Sequence, residues 1–370
     1  MLKLFLFIIY INEFIQKSDV YFTKEISPSK IVEIFKKLNI TLRGNVGLKV
    51  HTGELGGKYF LHPNFLQEIY DYTNGTFIEC NTAYSGNRHT TDLHKSLLKT
   101  HGWLDNNRRT VIMDENPSDD FELSIPGSHK ISKNIVGGRL KEFDSCIILS
   151  HFKGHQMGGF GGALKQLSIG FASQAGKAYI HSGGTTRNWR QTWSNTASQE
   201  DFTSSMGDAA SSIVKYFRER GGIAFINVMS NISISCDCAG SSAPAPKIHD
   251  IGILASTDPV AIDRACLDLI TKDSSEGVSE WLTNSNNKQG ENTIKAAEEM
   301  SAGTQEYNLI SIDDNNTNID YDNDNDNNND NDNNNDNDSD ENIVDYRNGH
   351  NISAYIKFYN LLLFLLILLK

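Results

Sequence analysis

Ser145-Cys-Ile-Ile-Leu-Ser-His-Phe-Lys-Gly-His-Gln-Met-Gly-Gly-Phe-Gly-Gly-Ala-Leu-Lys165 is the stretch on which the fold of this chain is read. Ser145 to Leu149 is an apolar run of strand length, bounded by polar residues. The glycines at 154, 158, 159, 161 and 162 then let the backbone approach a neighbour closely or turn sharply. Ala163 to Ile169 reads as a helix, whose first N–H groups would favour an anion. Strand, glycine loop and helix in that order form the repeating unit of a parallel α/β sheet, with ligands expected beyond the strand ends.

The same alternation extends outward on both sides. Val46–Val50, Thr76–Cys80, Arg109–Met113, Ile223–Met229 and Ile251–Leu254 read as strands. Phe65–Tyr72, Thr90–His101 and Asp201–Glu219 read as helices, and Asp258-Pro259 opens another, with Asp258 as its cap. The fold class expected is therefore α/β, a mostly parallel sheet with helices on both faces. A disordered Asp/Asn-rich tail follows it.

Charge is distributed unevenly. Of 46 acidic residues, twelve lie between Asp313 and Glu341, where Lys and Arg are absent. The other 34 acidic residues balance 34 Lys and Arg, so the net charge of −12 describes the tail alone. A core without a basic surplus gives no reason to expect nucleic acid. The chain divides into an apolar signal-like segment (1–18), an α/β core (19–313), an acidic spacer (314–347) and an apolar C-terminal segment (348–370). Residues 4–11 resemble the apolar centre of a secretion signal; a plain N-terminal extension is the alternative. Leu361–Leu369 is too short to span a bilayer alone and resembles a lipid-anchor attachment signal, with a tail anchor or a spurious extension as the other readings. Secretion with cell-surface anchoring and residence in the cytoplasm both fit, and membrane association is expected only through the C-terminal segment.

Two constellations could carry chemistry. In the first, His151, His155 and Lys165 flank the glycine loop, and His181 follows sixteen residues after Lys165. Imidazoles and an amine around such a loop can transfer protons, hold a metal or carry a cofactor covalently. The bland reading is a packing turn with solvated His and Lys. In the second, Cys236-Asp-Cys238 follows a strand; two such thiols can ligate a soft metal or close a reducible disulfide, with Cys80 as a third thiolate. Two solvated thiols in a turn are the bland alternative. Lys49 and His51 share one face of their strand, and Arg88 could clamp a carboxylate. The implied ligand is a small anionic molecule. The candidate assignments are His155, Lys165 and His151 for catalysis. Lys165, Gly159, Gly161, Gly162, Lys49 and Arg88 are assigned to cofactor binding, and His181, Cys80, Cys236 and Cys238 to a transition metal.

Together these segments resemble the domain-of-unknown-function family 362, whose members are often labelled iron–sulfur centre proteins. The matching stretches are Val20–Thr23, Gly47–Glu54, Glu79–Tyr84 with Arg88, His151–Lys165, Cys236–Cys238 and Asp250–Asp263, and the likeness runs from Val20 to Ile312. Many members carry a ferredoxin-like insert after the position matching His181. Residues 182–200 contain no cysteine here, so a 4Fe–4S cluster of that type is not expected. A second, more distant resemblance is to the nickel-pincer lactate racemases, through His155, Gly159–Gly162, Lys165 and His181. It implies Lys165 as covalent anchor, His181 as metal ligand and His155 as acid/base.

Three functional readings follow. One is a metal- or cofactor-dependent enzyme, possessing redox or proton-transfer chemistry on a small anion, with the racemase-like mechanism as a variant. The second is a non-catalytic anion-binding module using the glycine loop and Arg88. The third is an anchored structural protein.

Overall fold

The computed structural model describes residues 17–313 and a short strand at Ile343–Val344. The signal-like segment, acidic spacer and apolar C-terminal segment otherwise lie outside the described residues. Ser18 opens the first strand.

Five strands form the parallel centre: β2 (Val46–Lys49), β3 (Thr76–Glu79), β4 (Thr110–Ile112), β7 (Ser145–His151) and β10 (Ile223–Met229). Their order is β10-β7-β2-β3-β4. On the far side of β10 lies β11 (Gly252–Ser256), antiparallel to it and to β1 (Ser18–Thr23). β1 pairs in parallel with β12 (Tyr307–Ser311), and β13 (Ile343–Val344) closes the edge antiparallel to β12. The α/β expectation of a mostly parallel sheet holds; only β11 and β13 run against the other seven strands.

Alternation along β7 shows why the sheet is covered twice. Cys146 and Ile148 enter one apolar cluster, whereas Ile147 and Leu149 enter the other. A strand buried on both faces reads as an unbroken apolar run, as this one does. Helix α1 (Pro28–Lys37) packs Ile31, Ile34 and Phe35 on the second face, with Ile69 of α2 (Gln67–Thr73) and Leu98 of α3 (Thr91–Thr100). The first face is covered by α6 (Gln199–Arg218) and α7 (Pro259–Lys272). Thr90 caps α3, and Asp258 caps α7 through the backbone N–H groups of Val260 and Ala261.

The glycine segment departs from the expected open loop. Apart from the main sheet, β5 (Phe121–Ser124) pairs antiparallel with β6 (Lys133–Val136), and Lys153–His155 (β8) and Gly159–Gly161 (β9) form a small antiparallel hairpin. Phe152 and Phe160 hold it against Trp281 of helix α8 (Val278–Asn287), with ring centroids 6.0 and 6.4 Å from the indole. The helix expected over Ala163–Ile169 is an α-turn, α4 (Ala163–Lys165), continued as a π-turn over Gln166–Gly170. Its N-terminal N–H groups do attract an anion, but the anion is internal. Asp263 accepts from Ala163 N at 2.8 Å and Leu164 N at 2.9 Å, and takes Nδ2 of Asn227 at 2.7 Å.

Gly162 is therefore required for packing against that carboxylate. A Cβ there would lie 2.4 Å from Asp263 Oδ1. Gly159 is also structural, since it has φ +80° and a Cβ would lie 2.8 Å from the Cα of Gly290. Gly161 differs: the nearest atoms to its missing Cβ are the Lys165 and Lys153 side chains, at 3.6 and 3.7 Å. We expect Gly162→Ala to cost about 1–3 kcal/mol through overpacking. Gly161→Ala should cost less than about 1 kcal/mol. Denaturant midpoints of the two variants check the contrast, and equal losses would refute it.

Candidate functional site

The C-terminal ends of β2, β3, β7 and β10 deliver most of the buried charge of the molecule to one end of the sheet. Lys49, fully buried at the end of β2, donates to Glu79 Oε1 at 2.7 Å, to Gln166 Oε1 at 3.2 Å and to the Val50 carbonyl at 2.7 Å. Its three N–H bonds are all used. Arg88 donates through Nε to Glu54 at 2.8 Å and through Nη2 to the Tyr84 hydroxyl at 2.9 Å, and its Nη1 lies 3.7 Å from Glu79. Both residues were expected to hold a cofactor or substrate anion. In the structure both pair with the protein's own carboxylates. Burial pushes the Glu79 carboxyl upward, but Lys49, His51 and Arg88 outweigh it and hold it far below the usual carboxylate range.

A second network forms around Asp237. His151 Nδ1 lies 2.9 Å from Asp237 Oδ1, and Lys153 Nζ donates to Oδ2 at 2.6 Å. His151 Nε2 faces the Ser230 carbonyl at 2.6 Å. Both ring nitrogens thus face acceptors within the protein. His151 thereby joins the end of β7 to the loop that carries Asp237. His51 lies 3.9 Å from the same carboxylate. Burial alone would raise the Asp237 carboxyl, yet His151, Lys153 and His51 hold it well below its ordinary value.

Lys165 stands apart from these pairs. Its backbone carbonyl accepts from Ser168 Oγ at 3.3 Å, but no hydrogen bond or ion pair joins its Nζ to any described residue, although the side chain is largely enclosed. Burial, then the Lys153 cation, with smaller contributions from Arg88 and Lys49, brings its amine down to about 7, against the pull of Asp237. A lysine so lowered is mostly neutral, and nucleophilic, above pH 7 and charged below it. His155 and His181 feel the same cation. Burial first and Lys165 second hold His155 well below its usual value, and bring His181 down to about 3. His155 Nδ1 accepts from the backbone N–H groups of Met157 at 3.2 Å and Gly158 at 2.9 Å. The neutral ring therefore carries its proton on Nε2. His181, the last residue of helix α5 (Gln174–His181), stacks on Phe202 at 4.6 Å, and its buried Nδ1 has no hydrogen-bond partner. A buried nitrogen without a partner is uncommon and suits a metal ligand or proton acceptor.

The cysteines divide differently from the expectation. Cys236 and Cys238 are joined as a disulfide, with Cα atoms 5.2 Å apart. Ligand-capable atoms of His155, Cys236 and Cys238 all lie within 4.8 Å of one another. Neither Cys80 nor His181 belongs to that group. Cys80 is buried, donates to the Phe171 carbonyl at 3.5 Å, and is pushed strongly upward by burial and by Asp114. It is a protonated core thiol, and the proposed third thiolate is replaced by the imidazole of His155. With the disulfide closed, neither sulfur is a thiolate, so a metal at these three residues requires reduction first.

Sequence reasoning missed Glu54, Glu79, Lys153 and Asp237, although each lies inside one of the motifs named above. The available signal was strand alternation, which puts His151, Lys153 and His155 on one side, together with ionisable residues at the ends of otherwise apolar strands.

Two measurements test this electrostatic description. Acylation of Lys165 by a water-soluble reagent should be half-maximal near pH 7, whereas ordinary lysines follow a pKa of about 10.4; peptide mapping of the adduct across pH checks it. Glu79→Gln leaves buried Lys49 without its counter-charge and should cost about 3–5 kcal/mol of stability, read from equilibrium unfolding.

No curated protein matches the sequence. Among solved structures, the lactate racemase apoprotein from Thermoanaerobacterium thermosaccharolyticum aligns at 16% identity and a TM-score of 0.36, covering 57% of this chain and 50% of its own. A structural-genomics crystal structure of a Thermotoga maritima protein aligns at 12% identity and a TM-score of 0.38, covering 75% of this chain and 60% of its own. The chain thus spans half to three-fifths of the solved structures it matches. Among the described residues, no helix is long and apolar enough to cross a membrane. The profile of the family described as Domain of unknown function (DUF362) matches residues 46–268, well over half of the chain, and the protein belongs to that family.

Proposed function

We propose that the chain is a cofactor-dependent enzyme that moves protons on a small anionic substrate, with Lys165 as the covalent attachment point for the cofactor. The unpartnered, enclosed amine of Lys165, brought down to about 7 so that its neutral form is well populated near neutrality, is the observation that carries this reading. A neutral buried amine can attack a carbonyl or acyl carbon, whereas a paired ammonium cannot. His155 and His181 flank it electrostatically and supply the proton chemistry.

The residues fit a lysine-anchored metal cofactor of the kind that the motif resemblance implies. His181 offers a buried nitrogen without a partner, and Lys165 an amine without one. When bound, such a group would supply a redox-active metal centre. The chain's own residues do the rest. His155 would offer its Nε2–H to the substrate as a hydrogen-bond donor, and the backbone N–H groups of Met157 and Gly158 fix that tautomer at Nδ1. Gly161, lacking a side chain, leaves room beside the two lysine chains. Lys49, Arg88 and Lys153 pair with Glu79, Glu54 and Asp237. They shape the electrostatics without binding the substrate directly.

The alternative of a non-catalytic anion-binding module needed Arg88 as a free clamp. Its bonds to Glu54 and Tyr84 count against that reading.

Lys165→Ala and Lys165→Arg separate the hypotheses. From cells able to make the cofactor, intact mass spectrometry should find an adduct on Lys165 that both variants lose, with turnover falling at least about 10²-fold. A binding module would instead retain graded affinity in the Arg variant, because the charge is kept. Wild-type protein without adduct or bound metal, isolated from such cells, would overturn the proposal.

A further inference from the structure

We propose that Cys236–Cys238 is a redox-active disulfide that exchanges with small dithiols from solution, entering through Cys238 and releasing Cys236 as the buried leaving thiolate. The inference is independent of any role for Lys165.

The two sulfurs differ in access. Cys236 is 5% exposed, while Cys238 is partly open to solvent. Attack by an external thiolate is therefore directed to Cys238 Sγ. The sulfur set to leave is also the better supported one. Cys236 Sγ accepts the backbone N–H of Cys238 at 3.2 Å, and His155 stands within 4.8 Å of both sulfurs. A backbone N–H donor at Cys236 Sγ favours a thiolate over a thiol there.

The residue between the cysteines keeps them in place when the bond opens. Asp237 is pinned by His151 and Lys153 at 2.9 and 2.6 Å, neither of which involves sulfur. Reduction thus leaves the turn anchored, and the thiols remain close enough to reoxidise. No internal thiol competes as exchange partner. Cys80, Cys146 and Cys266 are at most 1% exposed, and burial pushes all three upward.

The exchange balances without any further oxidant. One thiolate of the dithiol attacks Cys238 Sγ, the S–S bond breaks, and its electron pair passes to Cys236 Sγ. The second thiol of the reductant, once deprotonated, attacks its own sulfur in the mixed disulfide and displaces Cys238 as thiolate. The protein gains two electrons and two protons as its dithiol, and the reagent departs as a cyclic disulfide.

The full chain can be tested without denaturant, by incubation with dithiothreitol, alkylation with iodoacetamide and peptide mass spectrometry. We expect label on Cys236 and Cys238 only, and restoration of the disulfide on removal of the reductant in air. Resistance to reduction until the fold is opened by denaturant, or isolation of the pair as free thiols from air-oxidised protein, overturns the proposal. Single variants test the direction of attack. With oxidised glutathione, Cys236→Ser should form the mixed disulfide at Cys238 about tenfold faster than Cys238→Ser forms it at Cys236. Equal rates would refute the assigned asymmetry.

Discussion

Asp237 is a buried carboxylate on the loop that follows β10, held by a histidine at the end of β7 and a lysine just beyond it. Burying a carboxylate is costly, and the cost is recovered only when charge and hydrogen bonds meet it closely. Here His151 meets one oxygen and Lys153 the other. That pairing ties two strand-end segments together across 84 residues of sequence. The backbone confirms the junction: Gly154 N donates to the Ser233 carbonyl at 2.7 Å, and a Cβ on Gly154 would lie 2.5 Å from the Ile234 carbonyl oxygen. Without the carboxylate, the junction would rest on that backbone contact alone, and the two buried cations would lose their partner.

Glu79 has the equivalent role at the end of β3, gathering Lys49 and Arg88 as well as the backbone N–H groups of Thr52 and Cys80. The two carboxylates explain why most cationic residues at the sheet end are unavailable to a ligand. Their charges are structural. Residue type alone assigns lysine and arginine near a strand end to anion binding, and that assignment goes wrong where acidic partners arrive from other strands.

The sheet was legible because its central strands are buried on both faces, and continuous apolar runs such as Ser145–Leu149 and Ile223–Met229 announce that locally. Helix limits were legible through their caps: Thr90 and Asp258-Pro259 do stop-and-start chemistry within four residues. The reversal of β11 and the insertion of β1 beside it left no such trace, because strand direction is decided by partners far away in sequence. The same holds at the site. Gly162 looked like a ligand-facing glycine because Asp263, whose carboxylate fills the space, lies a hundred residues further on. Cys80 looked like a third thiolate from its place at a strand end, but its side chain turns into the core, where alternation alone could not decide between Phe171 and solvent.

These pairings also account for the state of Lys165. A single carboxylate given over to this amine would hold it as an ammonium and make it one more structural cation. Asp237 is the nearby candidate, and it does pull the amine upward. Its two oxygens are already taken by His151 and Lys153, so the Lys153 charge reaches Lys165 along with that of the carboxylate. Burial, the largest cause, joins that repulsion and brings the amine down to about 7. The interaction that fastens the disulfide turn to the hairpin is thus also the one that leaves a single lysine without a counter-ion. Reactivity at Lys165 follows from how completely its neighbours are paired.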